Sequence, residues 1–345
     1  MALMARADII KNERISVENL DFDFIVSDEN GNEFGYIRKM DIDIDVGETN
    51  DFEAVINATE WSGERYGYKN RIYIPDTEYG GIIGDIESVT KDNQVVLRGC
   101  TWRGLLATKI IEPPAGENNQ VLNGELNDLI RMLISDQFGT LFYVPEISTG
   151  VVTKYTVDRY TDIRSAINKV LAENDMRLNI RYDQEKKAVE LKAVTIADYS
   201  EEIEYSQDNK VDFDIRDCRT GVNHLICGGS GQGIDREIMH LYVQEDGSIG
   251  EQIFYTGLDE NSAFYDYPNA ESTEKLREDG ISKLKELQNY KKMSMSVNDM
   301  NLELGDIVGG REYITNTVIK KPVADKILKL SDGKITIEYK LKGED

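Results

Sequence analysis

Four glycines, Gly228, Gly229, Gly231 and Gly233, crowd the stretch LICGGSGQGIDREIMHLYVQEDG (225–247). Backbone this free of side chains can cradle a phosphate, hold an oxyanion or simply bend. A P-loop needs Lys-Ser/Thr after its last glycine and then a helix. Here Ile234-Asp235-Arg236 follows, and then a run with strand character. The spacing also misses the dinucleotide-binding fingerprint. The nucleophile elbow G-x-S-x-G fails at its last position, where Gln232 stands. Asp235 would oppose a phosphate beside the loop. The four glycines therefore read as a structural turn between two strands.

Other residues invite metal or acid chemistry. His224 and His240 are the only histidines, and they lie near Cys218 and Cys227. Zinc accepts those ligand types. On one strand, however, His224 and Cys227 have opposite parity and point to opposite faces. Asp41, Asp43 and Asp45, with the stretch SDENGNE, raise calcium. An EF-hand loop wants Gly sixth and Glu twelfth; counted from Asp41, those places hold Val46 and Phe52. Ile42, Ile44 and Val46 alternate with the aspartates, so the pattern is a half-buried strand with an acidic, solvated face. Among 64 acidic residues, some pair always falls at the ~5–9 Å that glycoside hydrolysis needs, so such a pair carries no information. No catalytic residue, metal or cofactor is expected. Trp61, Tyr66, Tyr68 and Tyr73 could form a sugar platform, although a tyrosine-rich strand or interface is the plainer reading.

Composition narrows the classes further. The 345 residues include 40 Lys+Arg against 64 Asp+Glu, a net charge of −24. Such a chain repels nucleic acid, whose binding requires cations to replace condensed counterions. Three cysteines without a CxxC give no disulfide framework. The opening MALMARADIIKNERIS is too charged for a signal peptide, and no apolar run reaches the length of a membrane span. Synthesis in a cytoplasm is expected.

These candidates sit on three kinds of segment. Residues 1–115 read as strands: Asn30-Gly31 marks a hairpin, with further turns at Gly80-Gly81 and Asp92-Asn93. A short helix is expected at Trp102–Ile111, ended by EPPAGENN. Residues 116–198 hold two helical stripes, one through Leu126, Leu129, Ile130, Leu133 and Ile134 and one through Ile163, Ala166, Ile167, Val170 and Leu171. Thr161 or Asp162 can cap the second. A hairpin turning near Asp183–Lys186 follows. Residues 199–345 return to strands around the glycine turn. One amphipathic helix turns Leu276, Ile281, Leu284 and Leu287 inward, with Gly280 weakening it. A closing hairpin turns at Asp332-Gly333 and lines Ile335, Ile337, Tyr339 and Leu341 on one face. The fold class is α+β, mainly β.

The order of segments DTEYGGIIGDIESV (76–89), VVLRGCTWRGLLATKIIEPP (95–114), GVNHLICGGSGQGIDREIMHLY (221–242) and LELGDIVGG (302–310) resembles the hub proteins of phage tail tips and baseplates. The resemblance rests on a Gly-Gly strand, RGLL on a short helix and a G-x-G-x-x-R strand connection, and involves no catalytic signature. It implies two β-barrel-like tube domains, 1–115 and 199–345, with a small inserted α/β domain at 116–198. It further implies a homotrimeric ring in the virion that continues the tail tube and lets DNA pass on ejection. The implied partners are a distal tail or tail-tube protein, the tape-measure protein, and tail fibres or a spike. Two functions compete with this one: a tail-tip peptidoglycan hydrolase acting through carboxylates, and a carbohydrate-binding adhesin using the Trp61–Tyr73 region.

Overall fold

The computed structural model describes residues 23–37, 39–200, 211–218, 220–297, 302–312 and 317–341. The N-terminal stretch read for signal-peptide character lies outside them. The fold is mainly β, and the chain forms two compact units, Met1–Phe213 with Met295–Lys342 and Asp214–Ser294.

Unit one opens with β1 (Ile25–Ser27), β2 (Glu33–Tyr36), β3 (Asp41–Val46), β4 (Asp51–Asn57), β5 (Arg71–Tyr73), β6 (Gly80–Val89) and β7 (Gln94–Thr101), followed by helix α1 (Trp102–Leu106). The middle of the chain adds β8 (Gln120–Glu125), α2 (Leu126–Ile134), β9 (Phe142–Tyr143), β10 (Val152–Val157), α3 (Ile163–Ala172), β11 (Met176–Asp183) and β12 (Ala188–Thr195). Next come β13 (Val211–Cys218), which begins in unit one and ends in unit two; β14 (His224–Gly228), β15 (Ile238–Val243), β16 (Ile249–Gly250), β17 (Ser262–Asp266) and α4 (Thr273–Leu287), all in unit two; and β18 (Tyr290–Val297), which begins in unit two and ends in unit one. Unit one ends with β19 (Ile307–Glu312), β20 (Thr317–Ser331) and β21 (Lys334–Leu341).

In unit one the strands run in the order β21-β20-β3-β4-β7-β6-β5-β1-β2, with β19 on β20. The C-terminal hairpin thus pairs directly with the strand of the three aspartates. Period-two alternation gives this sheet two unlike faces. Ile42 on β3 stands opposite Ala54 on β4, which stands opposite Leu97 on β7, and all three are buried.

The middle segment supplies a layer whose core is continuous with that of the first strands. Ile25, Tyr73, Trp102 and Leu106 pack in one cluster with Leu126, Leu129, Ile130, Ile167, Val170 and Tyr182. Tyr182 stacks on Tyr73 with ring centroids 3.8 Å apart and on Trp102 at 5.5 Å. Asp162 caps α3 by accepting from the Ser165 backbone N–H at 2.9 Å, while Glu125 caps α2 by accepting from Asn127 N–H at 2.8 Å.

Two local expectations are corrected. Helix α1 stops at Leu106 rather than Ile111. Beyond it the backbone pairs sideways instead of winding on: Ile111 N–H donates to Thr161 O at 2.8 Å, and Ile163 N–H donates to Lys109 O at 3.0 Å. Gly80 and Gly81 make no turn; they begin β6. A Cβ on Gly80 would lie 2.6 Å from Tyr73 Cβ, and one on Gly81 would lie 2.1 Å from Cys100 O. These glycines permit close strand approach.

One charged cluster sits inside unit one. Lys326, 2% exposed at its side chain, places Nζ 2.5 Å from Glu303 and 3.7 Å from Glu78. Glu78 also accepts from Arg103 Nε at 2.7 Å.

In unit two the order is β16-β15-β14-β17. Leu225, Cys227 and Leu241 face Leu276 and Leu284 of α4 in a small core. Gly280 does more here than weaken the helix. A Cβ there would lie 2.7 Å from Cys227 Sγ and 2.8 Å from Leu241 Cδ1, so the residue lets helix and sheet touch. Gly280→Leu is expected to cost about 1–3 kcal/mol through overpacking, measured by urea unfolding. An unchanged midpoint would show that the contact has slack.

Candidate functional site

The outward face of the unit-one sheet carries a row of charged side chains in register. Lys329 on β20 stands opposite Asp43, Asp43 opposite Glu53, Glu53 opposite Arg98, and Arg98 opposite Asp85. Arg98 Nε donates to Glu53 at 2.6 Å and its Nη1 to Glu87 at 2.8 Å, with Asp85 at 3.7 Å. Lys329 lies 4.0 Å from Asp43 and 3.7 Å from Glu338. A register shift between Ile83 and Asp85 on β6 brings Asp85 opposite Arg98. Five carboxylates therefore share two cations. Exposed pairs of this kind contribute only ~0.2–1 kcal/mol each, so the row sets the surface potential more than the stability. Partial burial, with Asp45, Glu338 and Asp51 nearby, raises the Asp43 carboxyl above the usual range, while Lys329 opposes the shift.

The three aspartates singled out in the sequence have different tasks. Asp41 accepts from the Asp332 backbone N–H at 3.2 Å, tying β3 to the closing turn. Asp45 accepts from Thr49 N–H at 3.1 Å and Asn50 N–H at 3.4 Å, closing the β3–β4 connection. Asp43 is the one whose pairing lies wholly within the row.

The glycine turn joins β14 to β15. Gly231 has φ +94° and Gly233 φ +60°, in the region that favours glycine. Arg236 folds back over the turn and donates to Gly228 O at 2.9 Å and Gly229 O at 3.1 Å. It also pairs with Asp266. A Cβ on Gly228 would lie 2.7 Å from the Arg236 guanidinium. The carbonyls of Gly228 and Gly229 thus meet the guanidinium of the same loop.

Both histidines meet across β14 and β15. His224 Nδ1 lies 2.6 Å from Glu260 Oε1, and its Nε2 lies 2.8 Å from His240 Nδ1. His224 stacks on Tyr242 with centroids 4.3 Å apart. Cys227 lies in the core of unit two, where burial pushes its thiol up to about 11. Among the described residues no group of three or more His, Cys, Asp or Glu side chains gathers as a metal set. The aromatic stretch is divided: Trp61 and Tyr68 are exposed, whereas Tyr66 and Tyr73 are buried. Among the described residues no helix is long and apolar enough to cross a membrane.

The sequence matches no family model and no curated protein. The structure, in contrast, aligns along most of its length with solved structures. One is the prophage tail protein gp18 from Listeria monocytogenes EGD-e, at 15% identity, covering 94% of each chain with a TM-score of 0.49. A second is the 43 kDa tail protein of prophage MuSo2 from Shewanella oneidensis, at 10% identity, covering 93% of this chain and 98% of that one, TM-score 0.49. A third is the tail protein from Neisseria meningitidis MC58, at 13% identity, covering 94% and 97%, TM-score 0.45. The chain resembles phage tail proteins. The likeness is one of fold.

Sequence reasoning missed Glu53, Arg98, Asp85, Glu87, Lys329 and Glu338 as members of the row. The alternation that exposed Asp43 runs through β4, β7 and the closing hairpin as well, so these positions carry the same signal. What the sequence lacks is strand order, which alone places β20 beside β3.

Proposed function

We propose that the chain is a non-enzymatic structural hub of a phage or tail-like particle. In this reading three copies close into a ring that continues the tail tube toward the distal tip. Residues 1–115 and 199–345 are the two tube-forming parts, and residues 116–198 are an insertion between them. Tail-tube or distal tail protein, tape-measure protein, and fibres or a spike are its neighbours in the virion. The observation that carries the reading is the two-faced sheet of unit one, with an apolar face buried inside and a charged, net anionic row across the other. A tube wall needs that division: one face holds the protomer together, and the other meets water and passing DNA. A carboxylate-rich wall repels phosphates over about a Debye length, ~8 Å at physiological salt, so DNA slides without sticking. The glycine turn then serves as a bend with its carbonyls satisfied by Arg236.

The test is electron cryomicroscopy of the purified chain, alone and with its tail-tube neighbour. Three-fold rings with the Asp43–Glu53–Arg98 row on the inner wall are expected. A ring that carries this row on its outer rim, or lysis of purified cell wall by the chain, would overturn the proposal.

A further inference from the structure

A groove of about 570 Å³ opens in unit one between α3, the start of β11, the turn at Leu304–Gly305, and Pro322 and Ala324 of β20. Its charge runs against that of the molecule. The chain carries 64 acidic residues against 40 basic ones, yet among the described residues no carboxylate lines the groove, whereas Arg103, Arg164 and Arg177 do. The carboxylates that pair with two of these arginines sit behind the wall. Glu78, 2% exposed, holds Arg103 at 2.7 Å, and Asp306, also 2% exposed, holds Arg177 through Nε at 2.8 Å. Among the described residues the terminal nitrogens of Arg177 remain unbonded, and Arg164 has no hydrogen-bond or ion-pair partner at all. Most of the remaining lining is apolar, including Leu171, Met176, Leu178 and Ile196.

This combination selects an occupant. A guanidinium presents a planar fork that matches a carboxylate, and the bond is stronger where apolar walls exclude water. Inorganic anions would use the arginines and leave the apolar floor wet. A nucleic acid would meet the strongly negative remainder of the chain. A peptide that carries carboxylates next to aliphatic side chains satisfies both parts, and the volume lies within the ~300–1,000 Å³ range of ligand sites. We propose that this groove is a docking site for an acidic, apolar peptide segment of a partner protein. The peptide carboxylate pairs with Arg164 and the free end of Arg177, and its aliphatic side chain lies on the Leu171–Met176 floor. The site is independent of the ring reading and stands or falls without it.

Because Arg164 holds no partner among the described residues, its replacement should leave the fold intact, and this makes it the clean probe. The experiment is fluorescence anisotropy of the full chain with a fluorescein-labelled hexapeptide of alternating leucine and aspartate. Saturable binding that weakens with added salt is expected. Arg164→Glu should lose roughly tenfold or more in affinity, as expected for one charge-assisted bond, at an unchanged melting temperature. Arg164→Gln should fall between R164E and the native protein. Several results would overturn the proposal: absence of saturable binding, equal affinity in R164E, or equal binding of the leucine–lysine counterpart. Full displacement by millimolar phosphate would do the same, since it would mark an inorganic-anion site.

Discussion

Replacing Lys326 by methionine is expected to destabilise unit one by about 3–5 kcal/mol, the usual cost of removing one partner from a buried ion pair. The side chain is 2% exposed, and its Nζ stands 2.5 Å from Glu303 and 3.7 Å from the equally buried Glu78. Without it, Glu303 loses its 2.5 Å bond, while Glu78 keeps its pair with Arg103. Burial by itself pushes the Lys326 ammonium down, but Glu303, Tyr79 and Glu78 more than offset it and hold it above the ordinary lysine value. A raised lysine contributes stability that is fully present below its unfolded value, about 10.4, and is lost only as pH rises through the folded one. The loss on substitution should therefore be the same at pH 6 and pH 9. Urea unfolding at both values checks this. A second variant, Lys326→Met with Glu303→Gln, should recover part of the loss, because it neutralises the carboxylate that has lost its cation while Glu78 stays paired with Arg103. A single-variant effect under about 1 kcal/mol would mean that water reaches the cluster.

Lys326 also marks where reading a sequence stops. It shares strand parity with Leu328 and Leu330, so its position on β20 belongs to the core face. Parity assigns a face, and it does not say that Glu78, from a distant stretch, will be waiting there. Helices α2 and α3 were legible because their apolar stripes are regular and each has an acidic cap. Local pattern extends helix α1 beyond its true end because the segment after Leu106 has ordinary helix formers. Its backbone instead pairs with Thr161 and Ile163, a tertiary contact no local pattern encodes. The Gly80-Gly81 pair carries a turn signal because glycine supplies turns; here its lack of a Cβ makes room beside Tyr73 and Cys100. The exposed row was half-legible. Asp43 followed from alternation, and its neighbours required the strand order. The His224–His240 contact links diagonal positions of β14 and β15, since His224 itself stands opposite Tyr242 and His240 opposite Ile226.

The second large effect is expected at Trp102, which is fully buried at the first position of α1 and joins the early strands to the middle layer. Trp102→Ala should cost about 3–5 kcal/mol, as transfer and cavity terms add for a large aromatic. Its ring lies 5.5 Å from Tyr182, which stacks in turn on Tyr73. Loss of the indole should therefore loosen both sides of the shared core. Urea unfolding gives the magnitude, and the near-ultraviolet circular dichroism of the folded variant reports whether the tyrosine stack persists. Trp102→Phe separates volume from hydrogen bonding. Among the described residues the indole Nε1 is buried without a partner, so phenylalanine removes an unsatisfied donor while it keeps an aromatic surface. Its cost should stay below about 1.5 kcal/mol. If phenylalanine proved as damaging as alanine, the indole N–H would have to be bonded, to a trapped water for example, and the reading of Nε1 as an unsatisfied donor would fail.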